Sequence, residues 1–205
     1  MKKILISMLA VAALVSCSKE ESIRVDQGEA IEFGNAFVDN ATRADDPSYS
    51  VNDIQSFNVY GTVDGDNGVV NLFDGVEVTG TVGGVWSYLP QYKKYWIPGA
   101  AHNFAAVVDA AEPIGQDANG MPTTLTPAKN DEGYLKDLLY AFEGPIIAKE
   151  PYSAVNFEFK HLLAKAQFVV TSTTKDGYYY KVEGIKIHNF STGTYTIGTK
   201  AWATA

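Results

Sequence analysis

The only cysteine among 205 residues, Cys17, follows an apolar run from Ile4 to Val15 and a small residue, Ser16. Lys2 and Lys3 give the run a positive start. This pattern is a secretory signal in which the residue after the cut is Cys. The run is about a dozen residues long, against the roughly 20 that a bilayer crossing needs. Other residues with ligating or catalytic potential fare worse. Asp64, Asp66 and Asn67 sit in a Gly-bounded turn. A calcium loop of the EF-hand type needs an oxygen ligand at its fifth position and Glu at its twelfth. Gly68 and Gly75 stand there, so the segment reads as a solvated hairpin turn. His102, His161 and His188 lie far apart without an H-x-x-x-H partner. Zinc chemistry wants clustered ligands, so these histidines read as structural.

No G-x-S-x-G elbow, Walker-type loop or dinucleotide fingerprint occurs, and Gly83-Gly84 lacks the Lys of a phosphate loop. The expectation is a protein that is not an enzyme, with no catalytic, metal or cofactor-binding residues. One cluster carries binding potential: Trp86, Tyr88, Tyr92 and Tyr95, with Trp96 beside them. Exposed aromatics stack on sugar rings and anchor protein partners. The competing reading is that they fill a core.

Cleavage before Cys17 removes residues 1–16 and with them Lys2 and Lys3, leaving 189 residues with 14 basic and 24 acidic side chains, a net of −10. Such a surface disfavours nucleic acid, which needs clustered Lys and Arg. Cys17 is the only cysteine, so the chain can form neither an internal disulfide nor a Cys-clustered metal site, and stability must come from burial. Residues 17–28 read as a polar tether. Ile31, Phe33 and Phe37 then fall on one face of a period-two strand, ended by Asp39-Asn40. A polar loop, Ala41 to Ser50, follows and exposes Arg43. Short strand-like runs come next at Ile54–Tyr60, Val69–Phe73, Val76–Thr81, Val85–Tyr88, Tyr95–Ile97 and Asn103–Val108. Pro113 to Gly133 reads as a long loop insertion, and Leu135 to Phe142 fits a strand or a short helix. Val155, Phe157 and Phe159 alternate again, with further strands expected over Ala166–Thr171 and Tyr178–Phe190. Turn signals at this spacing predict an all-β, antiparallel sandwich.

Leu14-Val15-Ser16-Cys17 resembles the lipobox of a bacterial lipoprotein, which implies lipid on the Cys17 sulfur and on the new amine. Two or more acyl chains hold a protein firmly on a membrane. Cys17-Ser18-Lys19-Glu20-Glu21 is similar to the export tag of surface lipoproteins in the Bacteroides group. Further pieces extend the likeness: the Ile-x-Phe strand followed by Ala41-Thr42-Arg43-Ala44; Ile54 to Gly61; the aromatic block from Trp86 through Tyr95-Trp96-Ile97-Pro98 to Val107; and Val155 to Lys165. Together they resemble the fimbrillin family, the type V pilin-like surface lipoproteins.

The resemblance implies a transthyretin-like N-terminal β-sandwich over residues 29–160 and a second β-domain starting at 161–205. With about 40 residues after Lys165, that second domain is expected to be incomplete, as in a truncated chain or a short member. It implies proteolysis between Arg43 and Ala44 and departure of strand Glu29–Val38, with Ile31, Phe33 and Phe37 plugging the groove until then. Implied partners are other fimbrial subunits through strand exchange and outer-membrane lipid through acylated Cys17. The implied location is the cell surface, on the outer membrane or in a fimbrium. The alternative is a lipid-anchored, non-polymerising module that presents its aromatics to glycans or host proteins.

Overall fold

Val155 to Lys160 alternates strictly, and burial follows the alternation: Val155, Phe157 and Phe159 are buried while Asn156, Glu158 and Lys160 are exposed. The same rule builds most of the chain. In the computed structural model, which describes residues 28–38, 54–66, 68–81, 83–164, 171, 181–184 and 192–204, every regular element but one is a strand. The strands are β1 (Phe33–Val38), β2 (Ser56–Gly65), β3 (Gly68–Thr79), β4 (Ser87–Tyr88), β5 (Ala101–Val108), β6 (Gly115–Gln116), β7 (Pro122–Leu125), β8 (Leu139–Ile147), β9 (Val155–His161), β10 (Gly193–Thr196) and β11 (Ala201–Thr204). The exception is a 3-10 turn at Pro90–Tyr92.

A seven-stranded sheet runs in the order β1-β9-β8-β5-β2-β3-β4, and a four-stranded sheet in the order β11-β10-β7-β6. The larger sheet curls so that β2 faces β9: Phe57 packs against Phe157 and Phe159 with ring centres 5.6 Å away in both cases. Its concave side encloses the main core, with Ile31, Phe33, Phe73, Trp86, Trp96 and Phe104. Its other side carries a second core under the smaller sheet, where Tyr60, Ala105 and Val107 meet Ile114, Leu125 and Leu138. Strands β2 and β5 are therefore buried on both faces, which is why Phe104 to Val107 shows no alternation in sequence. Burial here pushes the phenols of Tyr60 and Tyr140 up to about 12; acidic Glu112 and Asp74 add to the first and Tyr195 to the second.

The all-β expectation holds, with local corrections. Pro113 to Gly133 is not a loop insertion: it forms β6 and β7, tied to β3 by Gln116 donating to Asp74 at 2.7 Å and Asn71 donating to the Asn119 carbonyl at 3.0 Å. Its apolar side chains are few but well placed, with Leu125 fully buried. Val69–Phe73 and Val76–Thr79 join in one strand, β3. Leu139 begins a strand, so the Leu135–Phe142 segment is not helical. The pairing is not wholly antiparallel, because β1 runs parallel to β9. Beyond residue 160, β10 lies antiparallel to β7, with Tyr195 opposite Leu125, so residues 193–204 share a sheet with residues 115–125. The strands expected over Ala166–Thr171 and Tyr178–Phe190 fall almost wholly outside the described residues.

Candidate functional site

Strand β1 and the four residues leading into it form the most unusual connection in the fold. The segment begins against Lys94–Trp96, which follows the β4 edge strand in the chain, and ends as the opposite edge strand of the curled sheet. Glu29 to Ile31 lies antiparallel to Lys94 to Trp96: the Ile31 amide donates to the Lys94 carbonyl at 2.9 Å and the Trp96 amide to the Glu29 carbonyl at 3.0 Å, with Ala30 opposite Tyr95 between them. Two residues later the chain switches partner. The Val155 amide donates to the Glu32 carbonyl at 2.8 Å, and β1 continues parallel to β9 with Phe33 opposite Val155 and Ala36 opposite Phe157. The segment thus closes the gap between the β4 side and β9.

Its side chains fill the space beneath. Ile31 and Ala36 are fully buried and Phe33 is 4% exposed. The Phe33 ring touches five others: Phe57, Phe73, Tyr88, Phe104 and Phe157, at centre distances from 5.5 to 6.4 Å. Four of these are edge-on and Phe157 is stacked, arrangements that aromatic quadrupoles favour. The register shifts between Phe33 and Ala36, and Ala36, three residues after Phe33, is fully buried. A strict period of two from Ile31 misses this irregularity. The Phe37 backbone sits opposite Glu158, and its side chain lies outside the described residues.

The aromatic residues of the 86–96 segment serve this closure. Trp86 is 6% exposed and packs on Phe57 at 4.9 Å, so it is core rather than ligand platform. Its indole N–H has no hydrogen-bond partner among the described residues. Tyr88 is half-buried, packs on Phe33 and Phe73, and donates its hydroxyl to the Ile31 carbonyl at 2.7 Å. Burial raises its pKa, partly offset by the Lys94 backbone, so the hydroxyl stays a donor. Tyr95 is half-buried opposite Ala30. Tyr92, in the 3-10 turn, is 45% exposed and stands apart from the other three in accessibility.

His102 anchors the far side of the same strip. It is fully buried, edge-on to Trp96 at 4.9 Å. The Ile97 amide points at its Nε2 at 3.4 Å, and its Nδ1 lies 3.1 Å from the Ala100 carbonyl. An amide can only donate, so Nε2 accepts and Nδ1 carries the proton. Burial pushes the His102 pKa down, which favours this neutral form. Sequence reasoning placed His102 among structural residues without signalling its link to the closure. His161 pairs instead with Asp137 at 2.7 Å, at the end of β9.

Asp64 and Asp66 are exposed at the β2–β3 hairpin. Cys17, Arg43, Ala44, Asn67 and His188 lie outside the described residues. Among the described residues no three His, Cys, Asp or Glu side chains gather as a metal site, and no helix is long and apolar enough to cross a membrane. The arrangement offers recognition through backbone edges and an apolar slot. In comparisons with known proteins, a family model described as fimbrillin-like matches residues 42–205. No curated protein and no solved structure gives a significant match.

Proposed function

The chain belongs to the fimbrillin-like family, and from that membership we propose that it is a lipid-anchored fimbrial subunit that assembles by strand exchange after a cut between Arg43 and Ala44. The observation that carries the reading is the closing segment Glu29–Val38. It pairs with Lys94–Trp96, runs on parallel to its β9 neighbour, and places Ile31, Phe33 and Ala36 in the core. Removing it would uncover two rows of unpaired backbone groups flanking an apolar slot. Such an edge is a template for another chain's strand. Full burial of a side chain such as Ile31 or Phe33 contributes about 1.5–3 kcal/mol, so the opened slot strongly favours refilling. Arg43 lies five residues beyond Val38, where a cut frees the segment without touching β2. Residues 1–16 act as the export signal, Cys17 carries the lipid, and residues up to 28 form the tether.

Mild trypsin treatment followed by intact-mass measurement tests the proposal. The expected result is loss of everything through Arg43 and a ladder of multimers on an unheated denaturing gel. Arg43→Ala abolishes both, and Cys17→Ala releases the chain from the membrane fraction. A chain cut after Arg43 that stays monomeric contradicts strand exchange and leaves the non-polymerising binding module as the reading. Unchanged membrane partition of Cys17→Ala contradicts the anchor.

A further inference from the structure

Phe142 lies on β8, an interior strand between β5 and β9, yet its ring is 47% exposed. It borders a cleft of about 760 Å³ between the larger sheet and residues of the smaller one, including Tyr195 of β10. Small-ligand sites usually fall between about 300 and 1,000 Å³. Strand β8 is bulged beside the cleft: Ile146 opposes His102 and Glu143 opposes Phe104, so Gly144 and Pro145 together face Asn103. Bulges re-aim side chains and concentrate next to functional sites. Gly144 has φ +149°, and a Cβ there would run into the Asn103 amide oxygen, so glycine preserves the space this amide occupies.

The polar lining has a particular composition. Asn103, Glu143, Glu158, Lys160 and Lys200 all border the cleft with Phe142. No side-chain hydrogen bond or ion pair joins any of these five to another described residue. Two carboxylates can accept, two ammonium groups can donate, and the amide does both. Asp117 also borders the cleft, accepting from the Asn119 and Met121 amides, so the lining holds three carboxylates against two ammonium groups, a net of −1. Burial, and then the neighbouring Glu158, raise the Glu143 pKa. An apolar ring beside both donors and acceptors, in a lining with one excess negative charge, disfavours an anion and suits a ligand with no charge, many hydroxyls and one C–H face.

We propose that this cleft binds a short neutral carbohydrate, with a pyranose ring seated on Phe142 and its hydroxyls held by Asn103, Glu143 and Glu158. The proposal is independent of strand exchange, because the cleft lies on the opposite side of the sheet from the slot that β1 fills. It also moves carbohydrate recognition away from the 86–96 aromatics.

The test uses the full-length, uncut chain carrying Cys17→Ala. It is screened against an array of neutral hexose and N-acetylhexosamine oligosaccharides, with sialylated and sulfated glycans alongside. The strongest neutral glycan is then titrated by calorimetry. The expected result is saturable binding that weakens at least tenfold in Phe142→Ala and in Asn103→Ala, with thermal unfolding of each variant checked in parallel, and that is unchanged in Tyr92→Ala. Should either variant unfold, Glu158→Gln on the exposed rim is read the same way. Binding of charged glycans alone, no binding to any neutral glycan, or unchanged affinity in the cleft variants overturns the proposal.

Discussion

Phe33 concentrates the physics of the closing segment in one ring. Its five aromatic neighbours come from β2, β3, β4, β5 and β9, so it links both halves of the curled sheet. Truncating such a residue removes transfer free energy and leaves a cavity that neighbours refill only in part. Phe33→Ala is expected to destabilise the uncut chain by about 3–5 kcal/mol, read from urea midpoints; a loss under about 1 kcal/mol would place the ring outside the core. His102 gives a second prediction at this scale. Its pKa is below 6.5 in the folded chain, while the unfolded chain keeps the ordinary value. Between those two values the unfolded chain binds more protons, so stability rises with pH there. The group costs nothing above 6.5 and its penalty grows as pH falls through 6.5 toward the lowered folded value. A series of unfolding curves from about pH 7.5 to 5 should show a shallower decline for His102→Gln than for the native chain. Parallel declines would mean that His102 does not titrate with folding.

The elements differ in how far they can be read ahead of the structure. Strand β9 is legible because one face is buried and the other exposed, so its sequence repeats with period two. Strands β2 and β5 are legible as strands, but their double-sided burial says nothing in sequence about what covers the second face. Strands β6 and β7 were hidden because they are short, polar and held partly by side-chain bonds to β3. The Phe33–Ala36 irregularity escaped because a register shift depends on β9, more than a hundred residues away in sequence. The alternation of Ile31 and Phe33 marks a strand in sequence, while the change of partners from Lys94–Trp96 to β9 is a property of the sheet's curl. Close packing inside the sheet yields its own test. Gly61 lies at a register shift in β2, where an added Cβ would sit 3.0 Å from both the Phe73 and Phe104 rings. Gly61→Ala should cost about 1–3 kcal/mol as those rings are forced apart, and a shift in the thermal midpoint checks it; an unchanged midpoint would mean the rings yield freely.

At the scale of the whole molecule, a single segment joins the 94–96 stretch to the β9 side of the larger sheet and puts Ile31, Phe33 and Ala36 into its core. The rest of the sheet remains continuous from β9 through β8, β5, β2 and β3 to β4 without it. That continuity is what the proposed exchange requires of a subunit that loses one strand and keeps its fold. The 86–96 strip, braced by Trp96 and His102, is the wall against which Glu29–Ile31 pairs. Ala30 and Tyr95 face each other between two flanking hydrogen bonds. Such non-hydrogen-bonded antiparallel pairs bring Cα atoms to about 4.5 Å, within the range a disulfide accepts. The most direct measurement is therefore multimer formation after the Arg43 cut in an Ala30→Cys, Tyr95→Cys chain that also carries Cys17→Ala. The account predicts that the oxidised, stapled chain is cut but stays monomeric, and that adding reductant lets the closing segment leave and multimers form. Multimers appearing equally in the stapled and reduced chains would contradict departure of the closing segment as the step that opens the slot.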